Sequence, residues 1–319
     1  MEGNMIYHYC GVETFLNIIR NHTLRLSDLC KSTDSLELKS LLDAVQEEIM
    51  NQYRNNNNFW DSVIYGMDMD DAFYFMLQML ISKMKKNTDQ MLFGVCFSED
   101  GDLLGQWREY ADKGTGIAIG FDVEWFERLC DNDMFKFSKV TYGYKKENEV
   151  IVKKHATSIY HQMLEAIEEG NSKGIVDGTS ATGIIEVDQN WLYLDSIFIK
   201  KDEYENEREW RLILDDEEMR KSYDEWDVYY NWTRDSTKTY KEIIYKLIPN
   251  GMEFMVRNGK IIPYLDLKFD LDENDLPLKK VIIGPNCKVD EQDIYHLLEF
   301  FGFDGDEIAI TRSKSSYCV

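Results

Sequence analysis

The chain has 319 residues, of which 44% are hydrophobic and 13% aromatic, so it can bury a large core and is not an intrinsically disordered chain. Asp and Glu number 59 against 36 Lys and Arg, a formal net charge of -23. This charge repels phosphate backbones and anionic membranes, which disfavours generic nucleic-acid binding. No apolar run approaches the roughly 18 residues that span a bilayer, and the first residues lack a signal-peptide layout. We therefore expect a cytoplasmic protein with no membrane partner.

The six cysteines are scattered singly, without a Cys-x-x-Cys pair or a His at zinc-ligand spacing. We therefore predict reduced cysteines that lie mostly in the core, and we expect no metal. No linker rich in Pro, Gly or Ser divides the chain. The sequence thus predicts one domain over residues 1–319, with a helical insertion at about 36–86 and variable insertions at about 145–183 and 215–243.

In the first third of the chain, residues 5–10 predict a strand, and apolar spacing from Val12 to Ile19 predicts a helix. Residues 24–27 alternate as a half-buried strand does. Helices follow over residues 36–86, with a loop at 55–58. An apolar stripe in these helices predicts core packing rather than a cofactor contact. Its members are Phe73, Phe75, Met76, Met79 and Leu80.

Further along the chain, strands are predicted at 91–98, 116–121, 210–214, 259–266, 278–283 and 307–311. Helices are predicted at 103–110, 145–169 and 291–301. Residues 171–183 are rich in Gly, Ser and Thr and predict a loop. This mixture of helices and strands predicts an α+β fold.

Two segments carry the first candidate site residues. His8 lies on the first predicted strand, where a single His is most often structural. Trp107 and Tyr110 lie three apart on one helix face, which predicts core packing. Alternatively, Tyr110 and Arg108 at a helix end beside Gly114 would hold a planar ring and a phosphate.

The third segment is acidic. Glu205, Glu207 and Glu209 occupy every second position, so an extended backbone would place them on one face. Close like charges raise a pKa or recruit a cation. The alternative is a solvated acidic loop whose charges pair with nearby cations, namely Lys200, Lys201, Arg208 and Arg211.

A set of short motifs runs through nearly the whole chain in order. They are Tyr7-His8-Tyr9, residues 23–27, residues 96–99, Trp107-x-x-Tyr110-Ala111-Asp112, residues 116–121, Glu207-x-Glu209-Trp210-Arg211 and residues 283–285. Their order and spacing resemble those of the bacterial domain-of-unknown-function family numbered 2971 (DUF2971). The biochemistry of that family is poorly defined, so this resemblance does not indicate a function.

A strand that carries a His, a helix with an Ile-rich face and a short strand after it resemble the opening of the NAD-using ADP-ribosyltransferases, particularly the toxins that modify DNA and RNA. The resemblance implies a split antiparallel sheet of that type with large helical insertions, and NAD as substrate. It implies that His8 holds the nicotinamide ribose and amide, and that Glu207 or Glu209 is catalytic. It also implies further cofactor contacts from Tyr9, Arg25, Ser27, Arg108 and Tyr110, with the two arginines on the pyrophosphate.

The predicted function is therefore that of an NAD-dependent, ADP-ribosyltransferase-like enzyme. Family members of this kind are found among toxin and phage-defence genes, which implies that it modifies a macromolecule. The acceptor, protein or nucleic acid, stays open, as does homo-oligomerisation. A non-catalytic nucleotide-binding sensor or a structural module is the first alternative. A metal-dependent nuclease that uses Asp195, Glu207 and Glu209 with Lys200 or Lys201 is the second, and the acidic net charge counts against it.

Overall fold

The structure is a computed structural model, and it describes residues 4–31, 37–56, 69–87, 92–132, 134–143, 146–173, 195–214, 246–257, 259–270 and 275–317. The chain divides into two compact units. The first unit consists of Met1–Lys31, Met91–Val140 and Glu203–Val319, and the second of Ser32–Gln90 and Thr141–Asp202. The predicted insertions at 36–86 and 145–183 fall in the second unit. The predicted insertion at 215–243 lies outside the described residues, and a single domain over 1–319 stays a prediction.

The described residues form twelve strands. They are β1 (Met5–Cys10), β2 (Thr23–Asp28), β3 (Phe93–Ser98), β4 (Ile117–Asp122), β5 (Phe135–Lys139), β6 (Thr141–Tyr142), β7 (Ile199–Lys200), β8 (Glu209–Leu214), β9 (Met252–Arg257), β10 (Lys260–Lys268), β11 (Leu278–Ile283) and β12 (Ala309–Arg312). Ten of them form one sheet in the order β12-β11-β4-β1-β3-β2-β10-β9, with β8 beside β3 and β5 beside β8. Strands β11 and β12 are parallel, and the other pairs in this sheet are antiparallel.

The helices are α1 (Val12–Asn21), α2 (Glu37–Asn55), α3 (Met69–Asn87), α4 (Leu104–Glu109), α5 (Val123–Leu129), α6 (Lys146–Lys173) and α7 (Glu291–Phe300). Two of them begin at an aspartate whose carboxylate accepts a backbone N–H that the first turn leaves without a helical partner. Asp122 accepts from Glu124 at the start of α5, and Asp290 accepts from Gln292 at the start of α7. Helix α1 ends at His22, which adopts the left-handed conformation with φ 52°.

The large sheet has two different faces, because side chains alternate along each strand. The first, which we call the core face, carries Ile6, Phe97 and Leu212 and packs against the buried side chains of α1, α5 and α7. The second, which we call the mixed face, carries Tyr7, Tyr9, Ala118 and Ile282 at one end, where Trp107 of α4 covers them. The remainder of the mixed face is described with the site.

The second unit is built on α2, α3 and α6, whose apolar side chains form a core of their own. Tyr53 stacks on Phe73 with ring centroids 4.0 Å apart, and its hydroxyl donates to Asp70. Strands β6 and β7 form a short parallel pair in this unit. His155 of α6 forms an ion pair with Asp195, the two side chains being 2.7 Å apart.

One prediction about α3 is wrong in part. Phe73, Met76 and Leu80 are buried, as the apolar stripe predicted, but Phe75 and Met79 are 44% and 39% exposed. Positions 73, 76 and 80 share one helical face, whereas 75 and 79 lie on another. The expected core role of Phe75 and Met79 is therefore corrected to a surface position.

The α+β class is confirmed by helices packed on a mixed sheet. Most predicted elements are present within a few residues of their expected bounds, whereas α5, β5, β6, β7 and β9 were not predicted. The five described cysteines are free; Cys10 and Cys287 lie in the core, Cys130 is half-buried against it, and Cys30 and Cys96 are half-buried. None of the described helices is long and apolar enough to cross a membrane.

Candidate functional site

The sheet divides at strand β3. One edge of β3 pairs with β8 from Gly94 to Ser98. The other edge is shared, because β2 pairs with Phe93 and Gly94 at one end and β1 pairs with Ser98 at the other. Strands β1 and β2 therefore diverge from β3 in opposite directions. Between them, the edge of β3 at residues 95–97 faces a gap in the sheet, which we call the split.

His8 borders the split. Its ring Nδ1 lies 3.2 Å from the carbonyl oxygen of Cys96, and because a carbonyl only accepts, Nδ1 carries the proton. The neutral ring then has its lone pair on Nε2. Burial lowers the pKa of His8 below its ordinary value, and the positive charge of Arg257 lowers it further. His8 is therefore held as a neutral imidazole with a fixed tautomer.

Glu209 begins strand β8 and is held by Arg211. The register aligns Tyr7 of β1, Ser98 of β3 and Glu209 of β8 in one row across the mixed face. Arg211 donates from Nε and Nη2 to the two carboxylate oxygens of Glu209 at 2.6 and 3.1 Å, and both side chains are 7% exposed. A paired guanidinium favours the ionised carboxylate, so a fixed negative charge lies beneath the surface of the mixed face.

Further polar side chains lie on β2 and β10, in other rows of the same face. Ser27 is paired with both Gly94 and Tyr264, which places Ser27 and Tyr264 on the mixed face. Arg25 donates from Nε and Nη2 to Asp266 at 3.0 and 3.4 Å, and its guanidinium lies 3.7 Å from the centroid of the Tyr264 ring. The Arg25 side chain is 43% exposed, so part of its guanidinium faces solvent.

Together these side chains form a polar strip, which we define by its members: Glu209 and Arg211 on β8, Ser98 on β3, Arg25 and Ser27 on β2, and Tyr264 and Asp266 on β10. The strip combines a buried anion, an exposed cation stacked on an aromatic ring, and hydroxyl groups. Such a set is suited to a ligand that has a sugar, a planar ring and a phosphate.

The other predicted site residues lie in different surroundings. Tyr9 is buried; its hydroxyl donates to the carbonyl of Asp100 at 2.7 Å and accepts from the Leu103 N–H at 2.9 Å. This Tyr therefore anchors the segment that leads into α4. Tyr110, at the end of α4, is 43% exposed rather than packed in the core, and exposed Arg108 lies 5.9 Å from the ring of Tyr317.

The two candidate glutamates differ in position. Glu207 ends a short 3₁₀ helix (Asp202–Glu207), and its carbonyl oxygen accepts from the Ser98 hydroxyl at 2.8 Å. The next residue, Arg208, has φ 48°, and β8 begins after it. The segment is thus not extended through all three acidic positions, and Glu209 is the one of the pair that is part of the sheet. The alternative interpretation, in which these acidic residues pair with nearby cations, is correct for Glu209, which pairs with Arg211. Glu209 is nevertheless buried rather than solvated.

His8 and Glu209 do not share a face. Tyr7 lies in the row with Glu209, so alternation directs the next residue, His8, to the core face, where its ring contacts the edge of Phe97. The structure therefore places Glu209, Ser27 and Arg25 on the same mixed face, with Ser27 paired to Gly94, four residues along β3 from the Ser98 that pairs with Glu209. His8 lies at the split, where no paired strand separates the two faces.

Sequence reasoning missed Tyr264 and Asp266 as parts of this strip, because both lie on a strand read only for its apolar pattern. A signal was available in the alternation of residues 264–266, in which polar side chains flank buried Leu265.

Among the described residues, no group of three or more His, Cys, Asp or Glu side chains is placed to hold a metal ion. Asp195, named for the nuclease alternative, lies in the second unit.

The fold and the strip define an α+β protein with a polar surface strip beside a split in a mixed sheet. The model of the family described as "Protein of unknown function (DUF2971)" matches residues 106–212, a stretch from α4 to β8 that includes Tyr110 and Glu209. This match confirms the resemblance to that family over residues 106–212. No curated protein and no solved structure matches the chain.

Proposed function

We propose that the protein is an NAD-dependent, ADP-ribosyltransferase-like enzyme that binds NAD along the polar strip. The observation that carries the proposal is the buried Glu209 carboxylate, held by Arg211 at the start of a strand beside a split in the sheet. Transferases of this kind need a carboxylate at the head of a late strand. Glu209 fits that position better than Glu207, which precedes the strand.

The reaction breaks the bond between C1′ of the ribose and the nicotinamide nitrogen, and nicotinamide leaves with the electron pair. The ribose then carries positive charge in an oxocarbenium-like state. A fixed carboxylate near C1′ stabilises this charge more strongly in the transition state than in the ground state, which is the condition for catalysis. The acceptor then forms the new bond to C1′ and loses a proton. We assign the stabilising carboxylate to Glu209.

Positions for the rest of NAD follow from the strip. We assign a pyrophosphate contact to Arg25, because its guanidinium is stacked on Tyr264 and partly faces solvent, so it keeps a fixed direction. We assign a ribose contact to Ser27, whose hydroxyl lies two residues further along the same strand and on the same face. His8 borders the split with a lone pair on Nε2, which suits it to accept a hydrogen bond from a ligand hydroxyl.

The net charge bears on the acceptor. A formal charge of -23 opposes association with a long polyanion, so we propose a protein or a single nucleoside as the group that is modified. In a toxin or phage-defence setting, this target would be a macromolecule of the host or of the phage.

The proposal is tested by measuring thermal stability with and without NAD, together with nicotinamide release, in the wild type and in Glu209→Gln. We expect NAD to raise Tm, and we expect the variant to release nicotinamide at least about 100-fold more slowly. Because Glu209→Gln also weakens the pair with Arg211, NAD binding is judged from the Tm of each variant with and without NAD.

Two further variants serve as controls. Glu203→Gln changes an exposed acid of the same 3₁₀ helix and should release nicotinamide at the wild-type rate. Glu207→Gln tests the other predicted glutamate and should have a small effect. A wild type that NAD neither stabilises nor reacts with would overturn the proposal, whereas stabilisation without nicotinamide release would favour the nucleotide-binding sensor.

A further inference from the structure

The β9–β10 hairpin ends the large sheet. Strand β9 pairs with β10 along its length: Arg257 is opposite Lys260 next to the turn, and Met252 is opposite Leu265 at the other end. Within the described ranges, no other strand pairs with β9, so its outer edge offers backbone groups to a further strand. An edge of this kind is a template for association unless charge, proline or a covering segment protects it.

The hairpin determines which residues of β9 face outward. Arg257 and Lys260 are the pair nearest to the turn, and so close together in the chain they exchange both of their backbone hydrogen bonds. Alternation then directs the N–H and C=O groups of Arg257, Met255 and Glu253 toward β10. Those of Val256, Phe254 and Met252 point to the outer edge.

The same hairpin exposes apolar side chains. Phe254 and Val256 on β9 and Ile261 on β10 lie on one face, and they are 52%, 77% and 64% exposed. We call these three residues the hairpin patch. Aromatic and β-branched side chains that remain in water on an edge strand mark an interaction surface, because a monomer gains nothing from exposing them.

Strand β9 is complementary to itself when it is reversed. In an antiparallel pair centred on Met255, Phe254 lies opposite Val256 of the second copy, and Glu253 lies opposite its Arg257. The symmetry repeats each pairing, so the dimer has two apolar pairs on one face of the joined sheet. On the other face it has two pairs of opposite charge. Moving the centre to Phe254 or Val256 removes the pairing of Glu253 with Arg257. The outward backbone groups of Phe254 and Val256 are also the ones that this register would bond.

We infer that the protein forms a homodimer in which β9 of one copy pairs antiparallel with β9 of the second copy, centred on Met255. The pairing joins the two large sheets into one and covers the hairpin patch. It does not depend on the proposed function, since NAD takes no part in it; Glu253 also accepts a hydrogen bond from the Tyr264 hydroxyl of the polar strip at 2.6 Å. Because each copy carries a formal charge of -23, general repulsion opposes the dimer, and added salt should strengthen it.

Sedimentation equilibrium over protein concentrations up to about 0.5 mM, at low and high salt, tests the dimer. We expect reversible dimerisation in the wild type. Val256→Pro removes an outward N–H that no described strand of the same chain uses, so it should leave the fold intact and weaken dimerisation at least about tenfold. Phe300→Lys, which changes an 81% exposed aromatic on α7, is the control and should leave dimerisation unchanged.

The register is tested by charge changes. Glu253→Lys places a lysine opposite Arg257 of the second copy, and Arg257→Glu places a glutamate opposite its Glu253. Each variant alone therefore sets like charges against each other and should be monomeric at concentrations where the wild type is dimeric. Mixing the two variants restores both opposite-charge pairs, and the mixture should dimerise like the wild type.

Circular dichroism of each variant separates loss of fold from loss of dimer. A wild type that stays monomeric at the highest concentration overturns the inference. A dimer that Val256→Pro and both charge changes leave intact also overturns it, because its interface would then lie elsewhere.

Discussion

The mixed face of the sheet contains two contrasting regions. Near β1, β4 and β11 it is apolar and closed, with Tyr7, Tyr9 and Ile282 packed under Trp107. Across β8, β3, β2 and β10 the same face is polar, with a buried ion pair and a half-exposed arginine. The alternation and the backbone are the same in both regions, so only the choice of side chains differs. One region serves the stability of the fold, and the other needs a different explanation.

The energetics strengthen this contrast. A buried ion pair is often no more stabilising than apolar side chains of the same volume, because both charges must leave water. Stability alone therefore does not explain Glu209 and Arg211 in a sheet whose neighbouring region is fully apolar. A requirement for a fixed charge at this position explains them, which is the main physical support for the proposed site.

The largest effect is expected in the apolar region. Trp107 is fully buried, and its indole Nε1 donates to Asp102 at 2.7 Å. Trp107→Ala leaves a cavity and should lower the free energy of unfolding by about 4 kcal/mol, measured by denaturant titration. Leu104→Ala on the same helix removes a 46% exposed side chain and should change stability by less than about 0.5 kcal/mol. Similar losses in the two variants would contradict the assigned role of α4.

A smaller effect is expected in the polar region. Arg211→Met leaves the Glu209 carboxylate buried without its main partner and should cost about 3 kcal/mol in the same titration. The double variant Glu209→Gln/Arg211→Met removes both charges and should be more stable than Arg211→Met alone. If the double variant lost as much as the sum of the two single variants, the pair would not act as a unit.

The smallest effect concerns His8 and pH. The lowered pKa means that the unfolded chain binds a proton near pH 6.5 that the folded chain binds only at lower pH. Stability therefore falls as pH drops below about 6.5. We expect this contribution to be the smallest of the three, because it comes from the titration of a single imidazole. His8→Asn keeps an amide donor near Cys96 and should remove this part of the pH slope, whereas exposed His161→Asn should not.

Sequence reasoning predicted the fold class and the family because long apolar patterns and ordered motifs are local signals. The helix at Lys146–Lys173 and the strand at Glu209–Leu214 lie close to their predicted bounds for this reason. Strand β9 was not predicted, because its side chains are mostly exposed and show no alternation of buried and exposed residues. Such a strand is defined by its pairing with β10, and a local sequence pattern does not show that pairing.

The candidate site was predictable only in part. Glu209 was identified from its acidic neighbours, but its alignment with Ser98 and Tyr7 depends on pairings between residues about 90 to 110 positions apart, which no local pattern gives. Whether His8 and Glu209 share a face depends on the same register. The separation of Phe73 from Phe75 on α3 depends on which helical face meets the core, and the composition of the stripe does not reveal it.

The position of β1 in the sheet has a consequence for synthesis on the ribosome. This strand is synthesised before its partner along the whole strand, β4, which follows about 110 residues later. At 5–20 residues per second this delay is roughly 5 to 20 seconds, and β8 follows later still. During this time β1 presents Ile6, Tyr7 and Tyr9 with unpaired backbone groups, which are prone to pair with another nascent chain. The yield of folded protein in cells therefore depends on what shields β1 during this interval, and slower synthesis would lengthen it.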